Sequence, residues 1–119
     1  MIALDHMSVP CHDKMATATF YARVFGLTYE GPRRDFAPIK VNEGLTLNFE
    51  EGPVLEKHHY AFRMAAEEFD AIQGRLKADG VEFGTSTRVR DGGYYERDGL
   101  RGFYFEDPNG HGLEAIAPV

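Results

Sequence analysis

The stretch Arg101–Val119, RGFYFEDPNGHGLEAIAPV, decides how the chain is read. Two apolar runs flank Asp107-Pro108-Asn109-Gly110. Proline presets one backbone angle there and Asn-Gly accepts a positive φ, so the pattern predicts two strands joined by a tight turn. The second run carries one carboxylate, Glu114, between Leu113 and Ala115. An acid in that place is either solvated or held on an inner face by a cation, because an unpaired buried charge is costly.

Upstream of this hairpin, Gly84–Gly99 holds Arg88, Arg90, Asp91-Gly92-Gly93, Tyr94, Tyr95 and Arg97. Its glycines and polar residues predict a flap with a short strand in it, mobile until a ligand orders it. Before the flap come a strand at residues 58–64 and a helix over Ala66–Asp79. The helix has Phe69, Ile72 and Leu76 on one face, Glu67 and Glu68 in its first turn, and Gly80 at its end. Val81–Phe83 reads as one more strand. The first half of the chain has the same order. Residues 1–9 alternate as a strand closed by Pro10, and Asp13 caps a helix whose stripe is Ala16, Phe20, Val24, Tyr21 and Phe25, stopped by Gly26. Leu27–Glu30 reads as a strand, Arg33 and Arg34 lie in a polar loop, and Phe36–Val41 pairs with Leu45–Phe49 across Asn42-Glu43-Gly44. Repetition at this scale predicts an α+β domain of two strand–helix–three-strand modules, about residues 1–54 and 55–119.

Composition bounds the function. A chain of 119 residues with 43% hydrophobic and 27% charged residues can bury a core unaided. No apolar run approaches the roughly 18 residues of a membrane span, and the first residues lack the blocks of a signal peptide, so a cytoplasmic protein without membrane contact is expected. The net charge of −6 argues against nucleic acid as a partner, though not against a locally basic pocket. Cys11, the only cysteine, cannot form an internal disulfide and reads as a small strand-end residue.

Strand parity sorts the polar residues. A strand covered by a helix on one side turns its large apolar side chains that way. Tyr60, Phe62 and Met64 then face a helix, and His59, Ala61 and Arg63 face away. In the first module Met7 and Val9 oppose His6 and Ser8, and Leu45, Leu47 and Phe49 oppose Thr46, Asn48 and Glu50. In the last strand Leu113 and Ala115 oppose Gly112, Glu114 and Ile116. His6, His59 and Glu114 thus occupy helix-free faces, and two imidazoles with one carboxylate suit a divalent transition metal with open positions. The alternative is two ordinary strand histidines and a solvated acid.

LDHMSVP, FYARVFGL, HHYAFRM and FYFEDPNGHGLEAIAP resemble the signatures of the vicinal oxygen chelate superfamily of glyoxalases, bleomycin-resistance proteins and dioxygenases, over nearly the whole chain. The resemblance implies two βαβββ modules forming a cup-shaped curved sheet with helices on the outside, in a homodimer. It also implies a divalent metal, with iron, manganese, zinc and nickel not distinguished, held by His6, His59 and Glu114. His6 in some relatives comes from the other subunit. His58 shares the parity of Tyr60 and is read as structural, and His12 and His111 as non-ligands.

The implied mechanism is chelation of two neighbouring oxygens of a small, anionic substrate by a metal acting as a Lewis acid. Glu50 and Tyr104 are the candidate bases, although Tyr104 on the helix side would be structural. Arg63 and Arg101 are candidate anion contacts, with solvated or ion-paired arginines as the alternative, and Asn48 and Tyr95 are further substrate contacts. Two other functions share the fold: a bleomycin-type binder, in which the metal ligands are typically dispensed with, and a fosfomycin-type thiol transferase. Matching the turn glycines Gly44 and Gly110 pairs Asn48 with Glu114, so the fourth ligand of a glyoxalase I is replaced by a neutral amide. A register shifted by two residues would put Glu50 there instead.

Overall fold

Asp13 sets one end of the first helix through its side chain, and Gly26 sets the other through its backbone. Asp13 Oδ1 accepts from the Ala16 N–H at 3.0 Å, and Gly26 turns left-handed at φ +70° to let its N–H and that of Leu27 reach the Ala22 carbonyl. A computed structural model describes residues 1–53 and 55–119, and in it this helix is α1, Lys14–Phe25. The other elements of the first half are β1 (His6–Cys11), β2 (Ala37–Asn42) and β3 (Leu45–Glu51), with sheet order β1-β3-β2. The second half has β4 (His59–Arg63), α2 (Ala66–Ala78), β5 (Tyr95–Arg97), β6 (Leu100–Glu106) and β7 (Gly112–Pro118), with sheet order β4-β7-β6-β5. The chain divides into two compact units, Met1–Glu56 and Lys57–Val119. The expected module boundary near residue 54 lies outside the described residues.

Each unit has its own core under its own helix. In the first, Tyr21 and Val24 of α1 are buried with Val9, Ile39, Leu47 and Phe49, and Tyr21 lies 4.6 Å from the Phe49 ring. In the second, Phe69, Ile72 and Leu76 of α2 are buried with Phe103, Phe105 and Leu113. The α2 N-terminus begins at Ala65, which has no side-chain acceptor, so Glu68 bends back to accept the Ala65 N–H at 3.3 Å. The Asp107–Gly110 turn is fixed by Asp107 Oδ1, which accepts from Asn109 N at 2.8 Å and His111 N at 3.0 Å, while Gly110 takes φ +84°. His111 is fully buried behind that turn, and its Nδ1 accepts the His58 N–H at 3.0 Å.

The strands differ from the expectation at four places. β1 starts at His6 rather than residue 1, and it runs through Pro10 because β1 is an edge strand and can spare a donor. Leu27–Glu30 forms no strand: the Leu27 N–H is used at the helix cap, and pairing is reduced to a single bridge, Arg33 to Phe36. Val81–Phe83 fails likewise, with the Val81 N–H on the Leu76 carbonyl and one bridge from Gly84 to Tyr104. The fourth strand of the second sheet is β5 instead, drawn from the flap.

Candidate metal and substrate site

The face of the second sheet away from α2 is built by alternation. Glu114 stands in β7 with Ala61 of β4 on one side and Tyr104 of β6 on the other, and His59 lies opposite Gly112. The imidazole of His59 packs close over Gly112, where an added Cβ would approach its Nδ1 to 3.4 Å. Its Nε2 is then 3.0 Å from Glu114 Oε1. The Tyr95 hydroxyl donates to the other oxygen, Oε2, and Tyr104 stands directly across from Glu114 in the strand register. Glu114 is only 9% exposed, yet its hydrogen-bond partners among the described residues are an imidazole and a phenol, neither a permanent cation. No third His, Cys, Asp or Glu side chain joins this pair within the unit, among the described residues.

Both phenols are raised above their ordinary 10.0, by burial first and then by the Glu114 carboxylate. They hold their protons at neutral pH and act as donors, which suits Tyr104 to giving a proton more than to taking one. The positive charge of Arg97, 5.0 Å over the Tyr95 ring, tempers this at both phenols.

The corresponding face of the first sheet carries His6 and Ser8 of β1, Thr46 and Asn48 of β3, and Pro38 and Lys40 of β2. His6 is exposed, and its Nδ1 lies 2.8 Å from Asp5 Oδ2, which leaves Nε2 outward in the manner of carboxylate-oriented ligand histidines. A concavity of about 750 Å³ opens on this face, lined by His6, Thr46, Asn48, Lys40, Arg33 and Arg34 among others. The side chains of Arg33 and Arg34 make no ion pair among the described residues, and both are exposed to that space.

Register settles which first-unit residue corresponds to Glu114. Ala61, two residues after His59, pairs with Glu114, and Ser8, two residues after His6, pairs with Asn48. Glu50 pairs with Pro10, one inward step further on, and is exposed. Asn48 is therefore the positional counterpart. Arg63 closes β4 on the helix-free side, exposed and opposite Ile116. Arg101 lies on the other face. It stacks 4.2 Å over Phe69, pairs with Asp70 of α2 at 3.2 Å and is 16% exposed, so the structure makes it a packing residue rather than an anion contact. The alternation of Arg101 with Phe103 and Phe105 already carried that signal. Arg33 and Arg34 are the residues the sequence reading left without a role; their adjacency to Gly31-Pro32 was the only cue.

Paired units of this topology, each with a histidine in its first strand, define a class of two-module sheet proteins. The chain belongs to the Glyoxalase/Bleomycin resistance protein/Dioxygenase superfamily, whose family model matches residues 3–115. It is 28% identical to the glutathione transferase FosA of Serratia marcescens, over 94% of this chain and 78% of that protein. Among solved structures it resembles oxidase ChaP-H2, at 35% identity and TM-score 0.92, covering 99% of this chain and 94% of that one. The fosfomycin resistance protein FosX of Listeria monocytogenes is similar at 26% identity and TM-score 0.75, covering 100% and 95%.

Proposed function

We propose that this chain is a metal-dependent enzyme acting on a small, anionic molecule that presents two neighbouring oxygens. The observation that supports it most is the Glu114 carboxylate, almost fully buried and facing an imidazole nitrogen at 3.0 Å, with no ion pair to a lysine or arginine among the described residues. A buried acid of that kind needs a counter-charge, and a carboxylate with neutral imidazole is a fitting donor set for a divalent ion. His59 and Glu114 hold it, and His6 from a first unit, of this chain or of a second copy, completes the set.

The ion would supply Lewis-acid polarisation and open positions for ligand oxygens. The chain's own residues do the rest. Arg33 and Arg34 bind the substrate's anionic group with charge-assisted hydrogen bonds, Asn48 donates through its amide where a glyoxalase I needs a fourth ligand, and Tyr104 offers a proton. Glu50 is the exposed carboxylate on the same face of the first sheet that can accept one, and Arg63 is a second cation at the edge of the other.

Oxidation of a vicinal diol or hydroxy-ketone by dioxygen is the favoured reaction, because the relatives called oxidases are 35% and 33% identical over nearly the full length. Thiol transfer to a phosphonate epoxide is the second reading, favoured by the likeness to FosA. The test is oxygen uptake by metal-loaded protein over a panel of catechols and hydroxy-quinones, beside glutathione consumption with fosfomycin and with the hemithioacetal of methylglyoxal. Oxygen uptake that the paired change Arg33→Ala and Arg34→Ala slows through a KM at least about ten-fold higher is expected. Bound but unchanged ligands throughout would point to a sequestering protein of the bleomycin-resistance kind.

A further inference from the structure

Tyr95, expected from the sequence to lie in a mobile flap as a substrate contact, is held in β5 by three separate devices. Tyr95 pairs with Gly102 across β5 and β6, and a Cβ built on Gly102 would collide with Cζ and Oη of Tyr95, at the hydroxyl end of the ring. The ring therefore lies in a slot that exists only because residue 102 is glycine. Arg97 caps the ring from 5.0 Å, and the Tyr104 ring lies 5.8 Å away. A side chain enclosed in this way has little freedom left to follow a substrate, and its hydroxyl is spent on Glu114 Oε2. The opposite oxygen, Oε1, is the one that faces His59 Nε2.

We propose that Tyr95 is a positioning residue for the metal ligand Glu114. The phenol holds Oε2 so that Oε1 is presented beside His59, and the Gly102 slot holds the phenol. This rests on the reading of Glu114 and His59 as ligands. It has a consequence for the flap, because β5 is the closing strand of residues 84–99 and its first residue bonds the ligand directly. Displacement of that strand withdraws the hydroxyl from the carboxylate.

Titration of the full-length, untagged protein with Co2+ tests the assignment, followed by calorimetry and by the visible bands of the bound ion. Tyr95→Phe keeps the ring and removes one hydroxyl. Loss of such an outer-shell partner weakens metal binding by roughly 10–100-fold, and a shifted visible spectrum with an unchanged melting temperature of the metal-free protein is expected with it. Gly102→Ala expels the ring and weakens Co2+ binding similarly, with no further weakening when combined with Tyr95→Phe. Should Gly102→Ala not fold, the Tyr95→Phe titration decides alone. Wild-type affinity and spectrum in Tyr95→Phe overturn the proposal and leave the metal reading standing. Weakened binding that comes with a lower metal-free melting temperature also overturns it, and a wild-type protein that takes up no Co2+ overturns both.

Discussion

Arg101 and Glu114 show how little a charged residue's identity says until its face is known. Both lie in the last hairpin, but Arg101 is turned into the α2 interface against Phe69 and Asp70, and Glu114 into the site face against His59. Arg101→Ala removes a cation stacked on an aromatic ring along with the packing of its stem. It should cost about 1–2 kcal/mol of stability by chemical denaturation while leaving metal uptake unchanged, since the ion pair to the 65% exposed Asp70 adds little. An equal loss of metal uptake would return Arg101 to the site. At this scale the sequence was legible wherever alternation was followed: it placed His6, His59, Asn48 and Glu114 on the helix-free faces, where burial and register put them. It pointed to Tyr95 as a flap residue touching substrate, because a tyrosine beside glycines in a polar segment carries no sign of the slot at Gly102 that it fills.

The elements were read best where local chemistry dictates them. Asp13, Gly26 and the Asp107–Gly110 turn act through their own side chains and backbone, so helix ends and hairpin were visible in the sequence. Leu27–Glu30 and Val81–Phe83 alternate like strands, but their first amides are consumed at helix caps and no neighbouring strand takes up the rest. The flap is more organised than its composition suggested. Gly84 bridges Tyr104, the Gly92 N–H reaches the Phe83 carbonyl at 2.8 Å, and Asp91 Oδ1 accepts from Thr85 N and Gly93 N. A Cβ at Gly84 would collide with the backbone of Val89, Arg90 and Asp91, so Gly84→Ala should destabilise by roughly 1–3 kcal/mol and speed amide exchange across residues 84–93. Unaltered exchange would mean that the segment is free to shift.

Asp91 gives the same segment a pH dependence with a definite sign. Hydrogen bonds from the Gly93 and Thr85 amides lower its carboxyl below the ordinary 3.8, so the contribution is present in full above that value and is lost as pH falls through the folded pKa. Exchange at Thr85 and Gly93, corrected for its intrinsic pH dependence, should rise on acidification below about pH 4 in the wild type and be insensitive there in Asp91→Asn. Parallel behaviour of the two proteins would remove Asp91 from the account.

At the scale of the whole molecule, each unit leaves the sheet face away from its helix polar, and each sheet has open edges, β1 and β2 in one and β4 and β5 in the other. Such edges and faces are covered in stable proteins. A homodimer is the predicted cover, and light scattering at micromolar concentration should return twice 13.4 kDa; a monomer mass would contradict it. Metal binding couples to stability by mass action, so an ion at 100 times its Kd should add about 2.7 kcal/mol and raise the melting temperature by several degrees, an increase that chelators reverse. The two-unit organisation was legible because it repeats, whereas pairing between copies leaves no periodic trace in a single chain.

His59 and Glu114 are proposed to hold a divalent ion. Metal content per chain, measured by mass spectrometry on protein purified without a histidine tag, tests it most directly when the wild type is set beside Glu114→Gln and His59→Ala. Close to one ion per site is expected in the wild type, with a loss of at least about ten-fold in occupancy in each variant and the metal-free fold intact by circular dichroism. Equal metal content in all three proteins, or none in the wild type after reconstitution with iron, manganese, zinc and nickel, would contradict it.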